Sequence, residues 1–118
     1  MKVLLVDDNL MTRRMIGDFL GEIGHEVVGE AGDGDSALKA FADLRPQAVL
    51  LDIIMPGRSG VEVLEEMHKL DQAAKIIMIT AVEQDGVDKQ LLELGATAIL
   101  HKPFSYGEFK ELIKKYLG

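Results

Sequence analysis

Short apolar runs alternate along the chain with longer stretches in which apolar residues recur every three or four positions. KVLLV (2–6) is a continuous, β-branched apolar run followed by acids, which predicts a strand buried on both faces. In LMTRRMIGDFLGEIG (10–24), Met11, Met15, Ile16, Phe19, Leu20 and Ile23 fall at helical spacing, with Asn9 to cap the start and Gly24 the end. EVVGEA (26–31) reads as a second, weaker strand and GDGD (32–35) as a turn. SALKAFADL (36–44) sets Ala37, Leu38, Phe41 and Leu44 on one helical face, and Arg45-Pro46 stops it.

The pattern repeats. AVLLD (48–52) is the third strand, and Val61, Leu64, Glu65, Met67 and His68 lie on a helix with a modest apolar stripe. KIIMIT (75–80) is the clearest strand. Residues 84–94 form a weaker helix, interrupted near its start by Gly86 and closed by Gly95. TAILH (97–101) is the fifth strand, and SYGEFKELIKKYL (105–117) the last helix, with Phe109, Leu112, Ile113 and Tyr116 inward. Strands alternating with helices predict one α/β domain over residues 1–118: a doubly wound, five-stranded parallel sheet with helices on both faces. In that architecture ligands bind at the carboxyl ends of the strands, where the strand order reverses.

Composition narrows the function. A chain of 118 residues, 47% hydrophobic and 28% charged, suits one compact domain. No apolar run approaches the roughly 18 residues of a membrane span, and no signal segment opens the chain, so the expected location is the cytoplasm. The absence of cysteine excludes disulfides, thiolate metal sites and thiol catalysis, and fits a reducing compartment. A formal charge of −7, from 20 acids against 13 bases, argues against direct nucleic-acid binding and leaves room for a cation.

The chemistry collects at the predicted strand ends. The first strand ends in Asp7-Asp8, the third in Asp52, the fourth in Thr80-Ala81, and the fifth runs through His101 to Lys102-Pro103. Three carboxylates, a hydroxyl and an ammonium converge on one edge of the sheet. Carboxylates on adjacent strand ends repel unless a cation sits between them. Hard oxygen ligands with few protein contacts suit Mg²⁺, which keeps several waters and shares phosphate oxygens readily. A carboxylate on a rigid strand end is also a nucleophile for a phosphoryl group, giving an aspartyl phosphate. Lys102 offers a point charge to the phosphoryl oxygens and Thr80 a hydroxyl donor. Phosphoryl transfer asks mostly for positioning and charge neutralisation, and these groups supply both.

At these residues a resemblance is plain. Asp7-Asp8 after a VLLV strand, Asp52 with Met55-Pro56 and Gly60 behind it, Thr80-Ala81, and GATAILHKPF resemble a response-regulator receiver domain, in order and over the whole chain. The likeness is greatest to stand-alone chemotaxis-type regulators. It implies strand order 2-1-3-4-5, the order that family members such as CheY exemplify. It implies that Asp52 accepts a phosphoryl group from a phosphohistidine on a sensor histidine kinase or phosphotransfer protein. It further implies Mg²⁺ held by Asp7, Asp8, Asp52 and the backbone carbonyl of Ile54, with Thr80 and Lys102 on the phosphoryl oxygens. A cis Lys102-Pro103 bond would aim the ammonium inward. Phosphorylation would then switch a face formed by the fourth helix, fifth strand and fifth helix. A downstream protein would bind that face, with the chain a monomer or a phosphorylation-dependent dimer.

The chain departs from the family pattern at three positions. Ile99, three residues before Lys102, stands where many members carry a switching Tyr or Phe. Ile54 and Val82, two past Asp52 and two past Thr80, are apolar where access to the acceptor is controlled. Slow hydrolysis of the phosphoryl group is the expected consequence. The chain is therefore not expected to be an enzyme, beyond self-phosphotransfer and slow autodephosphorylation. Met1 and the finished last helix favour a stand-alone regulator over a receiver excised from a longer one. A receiver-like interaction module that takes no phosphate is a further alternative. A dehalogenase-type phosphatase would need D-x-D-x-[TV], and Asp52 is followed by Ile53-Ile54 instead. The three histidines show no ligand spacing, and no dinucleotide fingerprint or phosphate-binding loop is present. Lys110, Lys114 and Lys115 read as a solvated face or a partner surface.

Overall fold

The computed structural model describes residues 1–81 and 86–118. Five strands alternate with five helices: β1 (Lys2–Val6), α1 (Leu10–Ile23), β2 (Glu26–Ala31), α2 (Gly34–Leu44), β3 (Ala48–Asp52), α3 (Gly60–Leu70), β4 (Lys75–Thr80), α4 (Val87–Glu93), β5 (Ala98–His101) and α5 (Tyr106–Leu117). All strand pairings are parallel, in the order β2-β1-β3-β4-β5. The predicted fold and strand order are the observed ones.

Strand alternation sorts the apolar runs between two cores. Leu4, Val6, Val49, Leu51, Ile76 and Met78 point to the face covered by Phe41 of α2, Leu64 and Met67 of α3 and Leu91 of α4. Val3, Leu5, Leu50, Ile77 and Ile79 point to the other, covered by Ile16 and Leu20 of α1 and Phe109 and Ile113 of α5. A strand buried on both sides must be apolar at every position, which is why β1, β3 and β4 read as unbroken runs.

Local capping explains most boundaries. The Asn9 side chain accepts the Thr12 N–H at the start of α1, and Gly24 ends that helix in the left-handed region at φ 96°. Residues 32–35 do not form a free turn. The Asp33 carboxylate accepts the Ser36 N–H at 2.8 Å, which draws Gly34 and Asp35 into the first turn of α2. β5 begins one residue late, at Ala98, because the Thr97 side chain takes a strand's role and accepts the Ile76 N–H at 3.0 Å. α4 is described from Val87; positions 84 and 85 of the predicted helix lie outside the described residues. Its N-cap, Gly86, is left-handed and offers no side-chain cap, and Leu91 is its buried residue.

The helical faces hold with corrections. Met11 and Met15 are exposed, because the sheet meets α1 through Ile16 and Leu20, half a turn away. Leu44 is also exposed for much of its surface; its Cδ1 lies over Gly29, where a Cβ would be 2.5 Å away.

Candidate functional site

The parallel register pairs Val6 of β1 with Leu51 of β3, so Asp7 and Asp52 leave the sheet side by side. Asp7 is 4% and Asp52 7% exposed, whereas Asp8 is exposed to solvent. One carboxylate oxygen from each of the three lies within 4.8 Å of the others. Lys102, at the end of β5, reaches into this group: its Nζ is 3.0 Å from Asp7 Oδ2 and 3.5 Å from Asp52 Oδ2. Its backbone N–H donates to Thr80 O at 2.8 Å, locking the lysine to the end of β4. Thr80 is fully buried and Ala81, next in the chain, is exposed. The Lys102-Pro103 peptide is cis.

Asp7 and Asp52 each face a backbone N–H from two residues further along the chain. The Asn9 N–H donates to Asp7 Oδ1 at 2.8 Å, which leaves Oδ2 for the lysine. The Ile54 N–H approaches Asp52 Oδ1 at 3.4 Å, a long and weak contact. Gly60, first residue of α3, donates its N–H to Ile53 O at 2.7 Å. A Cβ there would fall 2.2 Å from Asp52 O and 2.5 Å from Ile53 Cα. Only glycine lets α3 start directly beneath the acid.

The electrostatics follow from burial. Desolvation raises the Asp52 pKa above its ordinary value; Lys102 opposes this, and the nearby Asp7 carboxylate adds to it. Burial also works against the Lys102 ammonium. The hydrogen bond to Asp7 and the fields of Asp52 and Asp7 outweigh that burial, and the lysine pKa is raised. The edge thus holds more negative than positive charge in a half-dry setting. All-oxygen donors, few in number and open on one side, fit Mg²⁺ with retained waters.

Other predicted positions take peripheral places. The Ile54 side chain is exposed beside the cluster, Pro103 is exposed, and Ile99 packs half-buried against the α2–α3–α4 core. Val82 lies outside the described residues. His101 pairs with Asp88 of α4, Nε2 to Oδ2 at 2.7 Å. A groove of about 390 Å³ lined by Phe41, Ala42, Arg45, Leu70 and Asp71 sits between the ends of α2 and α3, at the opposite edge of the sheet. One neighbour of the site was invisible to pattern: Arg13 donates to the carbonyl of Asp7. Its signal would have been a base four residues past the Asn9 cap.

The family model described as the response regulator receiver domain matches residues 3–114. The chain is a receiver domain. It is similar to chemotaxis protein CheY of Thermotoga maritima, 35% identical over 114 residues that cover 97% of this receiver and 95% of that protein. Protein CcdB of Bacillus subtilis is 36% identical, with 99% and 98% covered. Sporulation initiation phosphotransferase F of the same organism is 34% identical, with 98% and 93% covered. A solved complex of CheX with CheY, beryllofluoride and Mg²⁺ from Borrelia burgdorferi contains a chain similar to this one at TM-score 0.95 and 26% identity, with 99% and 89% covered. The receiver is accordingly of the response-regulator type that serves two-component signalling. Receivers bind Mg²⁺ at an aspartate cluster, engage histidine kinases and downstream targets, and are not enzymes in the ordinary sense. Among the described residues no helix is long and apolar enough to cross a membrane.

Proposed function

We propose that Asp52 is the phosphoryl acceptor of a chemotaxis-type response regulator, with a phosphohistidine on a sensor kinase or phosphotransfer protein as donor. The observation that carries this is a buried, weakly hydrogen-bonded carboxylate on a rigid strand end, 3.5 Å from an ammonium and flanked by two further acids. An Asp52 carboxylate oxygen attacks phosphorus; the O–P bond forms as the N–P bond breaks, and the imidazole leaves with the electron pair and is reprotonated. Asp7, Asp8, Asp52 and the Ile54 carbonyl would hold Mg²⁺, whose charge would offset that of the transferring group. Lys102 releases the carboxylates and takes a phosphoryl oxygen, and Thr80 donates its hydroxyl to another. Leu10, Met11 and Ile54, exposed apolar side chains near the acids, offer the donor protein a dry rim.

The consequence is a two-state switch. Thr80 and Lys102 belong to adjacent strand ends joined by a backbone hydrogen bond, so movement of either is felt by β5 and by the peptide that follows Thr80. Ala81 gives the Thr80 backbone room to shift, Pro103 sets the direction of Lys102, and Ile99 repacks as an aliphatic in the switch position. The face of α4, β5 and α5 then binds a downstream protein; the similar CheY of Borrelia burgdorferi is itself found in complex with CheX. The receiver acts in the cytoplasm as a monomer, or as a dimer once phosphorylated. It performs self-phosphotransfer and slow autodephosphorylation only: the apolar Ile54, with Val82, orients no attacking water.

Intact mass after incubation with Mg²⁺ and acetyl phosphate tests the reading, beside an Asp52→Asn control. One phosphoryl adduct on the wild type, absent in the control and without Mg²⁺, is expected. If neither an adduct nor beryllofluoride binding is seen, the chain is an interaction module.

A further inference from the structure

We propose that Arg13 is a positioning residue for the cation site: it holds the peptide that joins Asp7 to Asp8, and so sets both carboxylates. This rests on the reading of Asp7, Asp8 and Asp52 as Mg²⁺ ligands. The Asp7–Asp8 peptide lies just past the end of the sheet. The last pairings of β1 are Val6 with Ala31 on one side and Val6 with Leu51 on the other. The Asp7 N–H still reaches Ala31 O at 3.1 Å, but its carbonyl has passed beyond both ladders. Arg13 supplies the partner: Nη1 donates to Asp7 O at 2.5 Å, a short contact to a backbone atom of a cluster acid. Nε of the same guanidinium donates to Glu30 Oε1 of β2 at 3.0 Å.

The guanidinium is built into its place. The Arg13 side chain is 17% exposed, and a Cβ at Gly32 would stand 3.4 Å from Nη1 and 3.9 Å from Asp7 O. Its backbone is fixed too, since the Arg13 N–H donates to Asn9 O at 3.1 Å while the Asn9 N–H holds Asp7 Oδ1. Glu30, Arg13, the Asp7 carbonyl and Asn9 thus form one chain of contacts from β2 through α1 to the acids. A planar fork can serve a carbonyl and a carboxylate at once; an ammonium on a flexible stem cannot hold both in fixed directions.

Charge and position make opposite predictions here, so the role is separable. A fixed positive charge beside a divalent-cation site repels the cation, so removing it should tighten Mg²⁺ binding if electrostatics were all that mattered. If Arg13 orients the acids, its removal weakens binding, by about tenfold as for outer-shell partners of metal ligands. The experiment is calorimetric titration of the full chain with Mg²⁺ alone, for wild type, Arg13→Ala and Arg13→Lys, with circular dichroism to establish the fold. We expect Mg²⁺ dissociation constants about tenfold higher for both variants. The lysine variant keeps the charge and loses the fork; should Arg13→Ala not fold, it decides alone. Unchanged affinity in Arg13→Lys, or tighter binding in Arg13→Ala, overturns the proposal. A wild type that binds no Mg²⁺ overturns the cation site itself, and with it this role.

Discussion

Replacing Lys102 by Met should destabilise the metal-free receiver and leave the Mg²⁺-bound one nearly untouched. The ammonium sits 3.0 Å from one nearly buried carboxylate and 3.5 Å from another. At an effective dielectric of 20 these contacts have gross attractions of about 5.5 and 4.7 kcal/mol, offset by desolvation of all three groups. Removing one partner of a fully buried pair costs about 3–5 kcal/mol. Lys102 is 27% exposed, and water screening brings the expectation to about 2–3 kcal/mol. For a domain of this size that lowers Tm by roughly 6–15 °C. Met fills similar volume, so the loss is one of charge rather than packing.

The pH dependence supplies an independent check. Burial and Asp7 already raise the Asp52 pKa in the folded state, and loss of the lysine raises it further. An acid with a raised folded-state pKa binds its proton first in the folded protein. The penalty is therefore full at neutral pH and shrinks as pH falls through that pKa, toward the ordinary value of 3.8. Thermal melts by circular dichroism from pH 4 to 8, with EDTA and with Mg²⁺, give the readout. Loss of the ammonium that competes with the cation should tighten Mg²⁺ binding, and at saturating metal a dissociation constant about a hundredfold lower than that of wild type returns about 2.7 kcal/mol to the variant, enough to cancel the defect. Equal metal-free melting of variant and wild type at neutral pH, or a deficit that Mg²⁺ does not narrow, would refute the reasoning.

Asp52→Asn, by contrast, should raise metal-free stability at pH 7 by about 0.5–2 kcal/mol, the usual yield of a single stabilising substitution, because it removes a desolvated charge beside Asp7; chemical denaturation with an unchanged slope is the measure. Gly60→Ala should cost about 3 kcal/mol, the upper end for overpacking, because the clash is with backbone atoms that cannot swing aside; a melt within error of wild type sinks it. Asp88→Asn removes the partner of His101 at a half-exposed pair worth about 0.5 kcal/mol, so amide exchange in α4 should quicken roughly twofold; unchanged protection there means the pair does not hold the helix. Ile54→Asn should shorten the lifetime of the phosphoryl adduct by giving a water a partner near the acceptor; an unaltered decay would count against the apolar-shield account.

Much of this architecture is written in hydrophobic period. β1, β3 and β4 announce themselves because every position is buried, and burial on both faces demands an unbroken apolar run. The strand-end acids were legible for the complementary reason: Asp7 and Asp52 interrupt such runs at their last step, where a charge has no place unless the chain uses it. What stayed hidden depends on contacts that periodicity cannot encode. Met11 and Met15 have the spacing of a core stripe, yet the sheet meets α1 half a turn away. Asp33 is a turn residue by composition but a helix cap by hydrogen bond. Arg13 carries no signal of its own, because nothing in a single sequence says which guanidinium folds back onto a carbonyl.

The charges that would make the site reactive would, on the proposed reading, also make it a switch. Metal-free, Lys102 serves two acids at once, so the end of β5 is pinned to β1 and β3 across the sheet. On the proposed reading, a phosphoryl group on Asp52 would offer that ammonium a stronger partner, and its departure would leave Asp7 to the cation. The lysine cannot move without its own N–H, which hangs on Thr80 O, nor without the preceding residue, His101, which grips Asp88 at the first turn of α4. α4 has a glycine cap with no side-chain hydrogen bond, a length of 7 residues and one buried side chain, Leu91. Among the described residues it has one buried side chain where every other helix has two or more, and Asp88 ties it directly to the lysine's strand. A small displacement at the acids therefore meets its weakest resistance at the face where a partner would read it.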